Sequence, residues 1–369
     1  MEFPLRENGA FLSQQLITYI GNKRSLLPFI GRAIEIVKKR LGKEKLVFFD
    51  AFSGSGAAAR FFKMHASQLI VNDLEAYSEA VNRCYLANAV DLPLAELREI
   101  HECLLRRLSG EPLRKGFIAE LYAPENENDI KHGERVFYTP RNAMYIDTAR
   151  QYIEEFDPSL RHFFTAPLLS ESSVHANTAG VFKGFYKDPL TGNGRFGGAG
   201  GNALSRIMGD IELPFPVWSN FSCPVKIFRD DTNALVPGLE ETDLAYLDPP
   251  YNQHPYGSNY FMLNLILSYK RPGAVSPVSG IPPDWKRSAY NSRQYAVHAF
   301  IDLAENIRSK FLLVSFNSEG FISLREMQAI LEKIGKVEIF QTPYNTYRGS
   351  RNLKARETHV REYLYLVEK

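Results

Sequence analysis

The sequence predicts an α/β protein built on a doubly wound, mostly parallel sheet, and three observations predict it. A short apolar run at 46–49 leads into a glycine turn and a helix start, and then into a second apolar run ending at Asn72-Asp73. Short β-leaning apolar runs return after residue 222. A long stretch of different texture separates the two blocks. Strand, glycine turn, helix and strand in that order open a parallel sheet, whose binding sites lie at the carboxyl ends of the strands. The chain has 369 residues, 44% hydrophobic and 23% charged, which is enough to bury a large core. That excludes a disordered chain, a collagen-like repeat and a disulfide scaffold.

The elements follow in order. Apolar residues at helical spacing over 29–37, then Lys38, Lys39, Arg40 and Gly42, predict an amphipathic helix with a basic end and a glycine stop. Residues 46–49 are read as a buried strand, 57–63 as a helix and 68–71 as the next strand. Strands are also expected at 225–228, 244–247 and 311–316, and a closing hairpin at 337–341 and 363–367. Between the blocks, 92–108 and 148–156 look helical, and 177–202 is loaded with Gly, Asn, Lys and Arg. The organisation expected is a sheet domain from 1–85 and 223–369, interrupted by a domain-sized, mainly helical insertion at 86–222.

Other readings narrow the class. Cys84, Cys103 and Cys223 are scattered without a CxxC pair, so neither a metal site nor an oxidised framework is expected. No basic end followed by an apolar run marks a secretory signal, and no apolar stretch nears the ~20 residues that span a bilayer. The expectation is a cytoplasmic protein with no membrane partner. Forty-four basic against 42 acidic residues give +2, which leaves a nucleic-acid partner open, because one basic face can be offset by an acidic opposite face.

Two motifs carry chemistry. Asp50-Ala51-Phe52-Ser53-Gly54-Ser55-Gly56 follows a strand, and its glycines allow close backbone approach to a ligand. It lacks both the GxGxxG fingerprint and the Lys-Ser/Thr of a phosphate-gripping loop, so a nucleoside ligand without a phosphate chain suits it better than ATP. Asp73, ending the next strand, stands where a carboxylate accepts from ribose hydroxyls. The second motif, Asp248-Pro249-Pro250-Tyr251, follows an apolar strand directly. Two prolines fix the backbone and remove its donors, leaving carbonyls that only accept. Such a carbonyl beside the Asp248 carboxylate suits a conjugated amino group. Two hydrogen bonds from its hydrogens favour a pyramidal nitrogen and free its lone pair. Tyr251 offers a flat face for an extruded base, worth ~1–3 kcal/mol of stacking.

With these pieces the chain resembles the adenine-N6-specific DNA methyltransferases, the group that includes GATC-methylating enzymes. The resemblance rests on Tyr19-Ile20-Gly21-Asn22-Lys23, the glycine turn at 50–56, Asn72-Asp73, the stretch 228–231, the Asp248 to Tyr251 tetrad and the tail Tyr347-Arg348-Gly349-Ser350-Arg351-Asn352. It covers both sheet blocks, about two thirds of the chain. It implies an S-adenosylmethionine-dependent methyltransferase fold in which 86–222 serves target recognition. Tyr19, Gly21 and Lys23 would lie at the S-adenosyl-L-methionine cofactor, Lys23 near its methionine part. Asp50, Phe52, Gly54 and Gly56 would line it, Asp73 would take its ribose hydroxyls, and Asp230 or Asp231 would face its adenine amine. Asp248, Pro249, Pro250 and Tyr251 would hold the target adenine. Asn22 stands where the family often has a second glycine before the lysine.

The reaction expected is direct displacement without a covalent enzyme intermediate, since no cysteine follows a proline as in cytosine-C5 enzymes. Positioning and fixed acceptors supply the acceleration, and the target base leaves the helix to reach the pocket. Lys183 and Lys187, interleaved with Phe182, Phe185 and Tyr186, and Arg195 and Arg206, in or after the glycine-rich stretch that follows, are candidates to meet double-stranded DNA. Arg348, Arg351 and Lys354 are the other set, suited to phosphates. Gln253, His254, Tyr256 and Asn259 are placed at the pocket mouth, with no chemistry assigned to His254. A cognate restriction endonuclease is a companion that the sequence leaves open. Two alternatives stay open: an RNA or protein amine methyltransferase, and a non-catalytic nucleic-acid-binding module. A nicotinamide-dependent dehydrogenase is disfavoured by the missing GxGxxG.

Overall fold

Side chains alternate across short strands, and that alternation builds three layers. The structure is a computed structural model that describes residues 6–198, 200–201, 203–250, 253–317, 320–345 and 359–369. The strands are β1 (Leu46–Asp50), β2 (Ala66–Asn72), β3 (Val225–Phe228), β4 (Thr242–Leu247), β5 (Ser309–Asn317), β6 (Lys336–Asn345) and β7 (His359–Glu368). They form one seven-stranded sheet in the order β3-β2-β1-β4-β5-β7-β6. The first five run parallel to one another, and β7 runs antiparallel to both β5 and β6. The doubly wound, mostly parallel sheet and its closing hairpin are as the sequence predicts.

Phe48, Leu69, Leu244, Leu313 and Leu366 point to one face, and Phe49, Ile70, Ala245, Leu312 and Val367 to the other. On the first face pack the helices Leu27–Leu41, Ala57–Lys63 and Ala76–Tyr85. On the second pack Ala296–Asn306, through Phe300, Leu303 and Ala304, and Leu324–Leu331, through Met327 and Leu331. Helix Leu27–Leu41 stops at Gly42, which takes the left-handed φ of 63°.

The segment 86–222 is helical in its first part, with helices Leu94–Gly110, Phe117–Tyr122, Pro140–Ile153 and His162–Val174. Its buried side chains, Leu104, Ile118, Phe137, Ile146 and Leu168 among them, belong to the same continuous core as the first face of the sheet. Helix Pro140–Ile153 differs from the expected 148–156. Its start is fixed by Thr139, whose side chain accepts from Asn142 N–H, and by a proline in the first turn. A helix start of this kind is legible locally, but the neighbouring apolar run Val136-Phe137-Tyr138 obscures it.

The strand order reverses between β1 and β4, so the turns leaving their carboxyl ends diverge and leave a crevice. Ala51 N–H donates to Tyr246 O at 3.1 Å, tying the glycine turn to β4. Within that turn Gly56 adopts φ +76°, and a Cβ there would lie 2.7 Å from Asn82 Oδ1. The Asn82 amide is itself committed, donating to Ser53 Oγ at 2.9 Å and Ser78 O at 3.0 Å. Gly56→Ala is therefore expected to lower stability by about 1–3 kcal/mol, read as a fall in the urea midpoint at constant slope.

Candidate active site

The crevice brings the glycine turn, Asp248 and Pro250 into one cleft. Its walls carry Tyr19, Gly21, Phe52, Gly54, Asp73, Glu75, Asp230, Asp231, Asp248, Pro250, Tyr256, Lys286 and Tyr290. Five of these are carboxylates (Asp73, Glu75, Asp230, Asp231 and Asp248) and one, Lys286, is a cation. Such a lining repels a phosphate chain and favours a ligand with positive charge and hydroxyl or amine donors.

Gly54 takes φ +52°, and its N–H donates to Asp73 Oδ2 at 2.7 Å. A Cβ there would come within 2.9 Å of the Tyr19 ring, so glycine is required by conformation and by space. Asp73 Oδ1 accepts from Glu75 N–H at 2.9 Å. Burial raises the Asp73 carboxyl to about 6, against the lowering effect of the bonds from Glu75 and Gly54. Glu75 is raised to about 7, first by burial, while its bond from Asn264 opposes the shift.

The loop after β3 is clipped to the end of β2. The Asn72 amide donates to Thr232 Oγ1 at 3.0 Å and to Asp230 O at 3.1 Å, and its oxygen accepts from Asp230 N–H at 3.1 Å. Asp231 caps the turn that follows, accepting from Asn233 and Ala234 N–H through Oδ1. Asp230 and Asp231 both line the cleft. The ring of Phe52 meets Tyr290 edge-on at 5.2 Å, giving this end of the cleft an apolar wall. Tyr19 stacks on Tyr256 at 5.0 Å and on Tyr260 at 4.6 Å, which holds the 19–23 segment against the chain that follows the tetrad.

Asp248 sits just past β4 with its side chain 17% exposed. Its Oδ1 lies 3.2 Å from the Lys23 ammonium, which also lies 2.7 Å from Glu362 Oε1 on β7. Burial raises the Asp248 carboxyl to about 6; Lys23 opposes the shift and Glu362 adds to it.

Several predicted residues stand apart from the cleft lining. Lys23 is buried behind Asp248. Asp50 is also fully buried. Among the described residues no well-formed hydrogen bond reaches its oxygens, although Phe52 and Ala59 N–H face it, and burial beside Asp248 and Asp73 pushes its carboxyl well above the usual range. Gly56 shapes the turn from below. Pro249 is buried and Pro250 reaches the cleft. Tyr251 lies outside the described residues, as do Arg348, Arg351 and Lys354. The strand ends that flank the last three, Asn345 and His359, pair with each other at the end of β7 nearest the carboxyl terminus of β5.

The 177–198 segment reaches the tetrad's neighbourhood. Phe182 N–H donates to Asn259 O at 2.7 Å, and Lys183 Nζ lies 3.0 Å from His254 Nδ1. Asn177 organises the segment, its amide donating to Val136 O at 2.8 Å and its oxygen accepting from Gly197 N–H at 3.0 Å. Lys187 lies over the Phe185 ring, 5.2 Å from its centre, and Arg195 pairs with Asp188 at 3.1 Å. A second, more open cavity of about 540 Å³ adjoins the first, and Lys183, Gln253, Trp285 and Arg287 are among its walls.

Residues 285–288 separate the two cavities. Trp285 and Arg287 face the open one, while Lys286 and Ser288 face the cleft. Gly257 lets this strip approach, since a Cβ there would lie 2.9 Å from Lys286 O. Sequence reasoning missed Glu75, Lys286, Tyr290 and Glu362. Glu75, two residues beyond Asp73, was within reach of the motif. The others come from segments without a motif and reach the site only through folding.

A doubly wound sheet with an acidic, phosphate-averse cleft and a proline-locked carboxylate at its switch point belongs to the α/β methyltransferase class. The family model described as "D12 class N6 adenine-specific DNA methyltransferase" matches residues 19–330, and the chain belongs to that family. The chain is similar to the type II methyltransferase M.NlaIII of Neisseria lactamica, 31% identical over 96% of this chain and 99% of that protein. It is likewise similar to the type II methyltransferase M.CviAII of Paramecium bursaria Chlorella virus 1, 30% identical over 95% and 98%. Type II methyltransferase M.FokI of Planomicrobium okeanokoites is 26% identical, with the match covering 95% of this chain and 52% of that protein. Among the described residues no helix is long and apolar enough to cross a membrane.

Proposed function

We propose that the protein transfers a methyl group from S-adenosyl-L-methionine to the N6 amine of an adenine extruded from duplex DNA at a specific sequence. The observation that carries this reading is the shared cleft: Asp248 and Pro250 line the same space as the glycine turn and a ring of carboxylates. The residues fit the cofactor. Asp73 and Glu75 are acceptors placed for ribose hydroxyls, Asp230 and Asp231 are acceptors for an adenine amine, Phe52 and Tyr290 offer ring faces and edges, and the negative lining suits a cationic ligand. When bound, S-adenosylmethionine supplies a sulfonium methyl group open to in-line attack.

The protein's own share is positioning and electrostatics. The Asp248 carboxylate and the Pro249 carbonyl accept the two amine hydrogens, which turns the nitrogen lone pair out of conjugation. Tyr251 stacks on the extruded base and offsets part of the few kcal/mol that extrusion costs. Lys183, Gln253, Trp285 and Arg287 line the open cavity beside the tetrad, and this is the face assigned to the DNA. Lys187 and Arg195 extend it, and Arg348, Arg351 and Lys354 are assigned to phosphates. In this reading 1–85 and 223–369 carry the chemistry and 86–222 the recognition. The relatives' names place them in type II modification, which supports a restriction-modification role with a companion endonuclease.

Methyl-labelled cofactor, offered with duplex DNA and with structured RNA, tests the substrate. Label in DNA, mapped to adenine by modified-base sequencing, is the expected result, and label in RNA alone overturns it. A pH profile tests the chemistry. Asp248 and Asp73 are both raised to about 6, and both act in their ionised forms. Single-turnover transfer is therefore expected to be full above about pH 7 and to fall as pH drops through about 6. A rate flat down to about pH 4.5 contradicts the assignment.

A further inference from the structure

We propose that Glu362 is a positioning residue for the transfer: it holds Lys23 against Asp248 and takes up part of its positive charge, leaving Asp248 a strong acceptor. This rests on the reading above that Asp248 accepts from the target amine. Three chain segments far apart in sequence meet here. Lys23 comes from the segment before the first long helix, Asp248 from the end of β4, and Glu362 from β7, where it pairs with Asn317 across the sheet. Lys23 and Glu362 are 6% and 1% exposed, while Asp248 opens onto the cleft.

The distances rank the partners. The ammonium is 2.7 Å from Glu362 Oε1 and 3.2 Å from Asp248 Oδ1. The Ser315 hydroxyl, from β5, donates to the same Glu362 oxygen at 3.0 Å. Lysine with one carboxylate makes a neutral pair, whereas lysine between two leaves the group with one net negative charge. With Glu362 as the nearer partner, that uncompensated charge falls largely on Asp248, on the side facing the cleft. A carboxylate fully matched by an ammonium is a weaker acceptor for a third donor. Lys23 thus orients Asp248, and Glu362 prevents Lys23 from quenching it. Besides these two, the titratable groups facing Asp248 among the described residues are Asp50 on β1 and the Tyr246 hydroxyl on β4. They are common to every variant below.

The test uses the full chain, methyl-labelled cofactor and duplex DNA in single turnover, between about pH 5 and 9. E362Q keeps an oxygen for Lys23 and Ser315 and removes only the charge. Its plateau rate is expected to fall about tenfold while cofactor affinity stays within about twofold. Its acid limb should move to lower pH, because Lys23 now acts on Asp248 alone. K23M should move the limb the other way, and the double variant should fall between the two. A role confined to packing would lower the rate without moving the limb.

An E362Q limb that coincides with that of the unaltered protein overturns the proposal, whatever the plateau. If E362Q does not fold, S315A decides. It strips the neutral donor from Glu362 and draws the ammonium away from Asp248, so its limb should rise, and an unmoved limb overturns the proposal. D248N separates the two levels. Undiminished transfer by D248N refutes the reading of Asp248 itself, whereas transfer lost in D248N with an unmoved E362Q limb refutes only the part given to Glu362.

Discussion

Asp248→Ala is expected to abolish methyl transfer, by about 10³-fold or more in the single-turnover rate, while cofactor affinity changes only a few-fold. In the proposed reading the side chain is an acceptor for the reacting amine; it sits just past β4, whereas Asp73 ends β2 and is bonded to Gly54 of the glycine turn. Its removal takes away an interaction that strengthens as the nitrogen becomes pyramidal, so the loss falls on the chemical step. Folding survives because Lys23 keeps Glu362 at 2.7 Å and is not left as an uncompensated buried charge. Calorimetric titration of cofactor alongside labelled transfer checks both halves. A variant that transfers at an undiminished rate, or one that loses cofactor instead, shows that the two pockets have been interchanged.

Asp73→Ala is the converse case. The carboxylate is expected to hold the ribose hydroxyls, and it also accepts from Gly54 and Glu75 N–H at 2.7 and 2.9 Å. The substitution removes the ligand's acceptor and takes the bonded oxygen from two backbone donors, Gly54 N–H of the glycine turn and Glu75 N–H just past β2. Cofactor affinity is expected to fall about 10²-fold or more, with a stability loss of about 1–3 kcal/mol for the unpaired groups. At saturating cofactor the transfer rate should recover much of its value, since the tetrad is intact. Equilibrium binding, and a denaturant melt without ligand, separate these contributions. Unchanged cofactor affinity rejects the assignment.

The two motifs were legible because each is a local solution to a local problem. Gly54 and Gly56 answer a turn with positive φ. Asp248 follows four buried apolar residues, and two prolines after it end the strand. Strands β1, β3 and β4 were equally plain, because short apolar runs bounded by polar residues need no context. Helix Pro140–Ile153 was misplaced, since many of its residues on all sides are buried, which removes the polar face that marks a surface helix. The basic residues illustrate a different limit. Arg195 reads as free for DNA in the sequence, yet it is paired with Asp188 seven residues earlier in a turn the sequence does not announce.

By itself the sequence determined the parallel sheet, the place of its glycine turn and the carboxylate that ends β4, because backbone sterics and strand burial act over a few residues. Only the tertiary structure decided which distant side chains complete the cleft. Glu362 reaches Lys23 because β7 inserts antiparallel between β5 and β6, and Lys286 and Tyr290 reach the cleft because Gly257 leaves room for the strip that carries them. Electrostatic pairing depends on distance in space, and a linear sequence does not encode distance between segments more than three hundred residues apart.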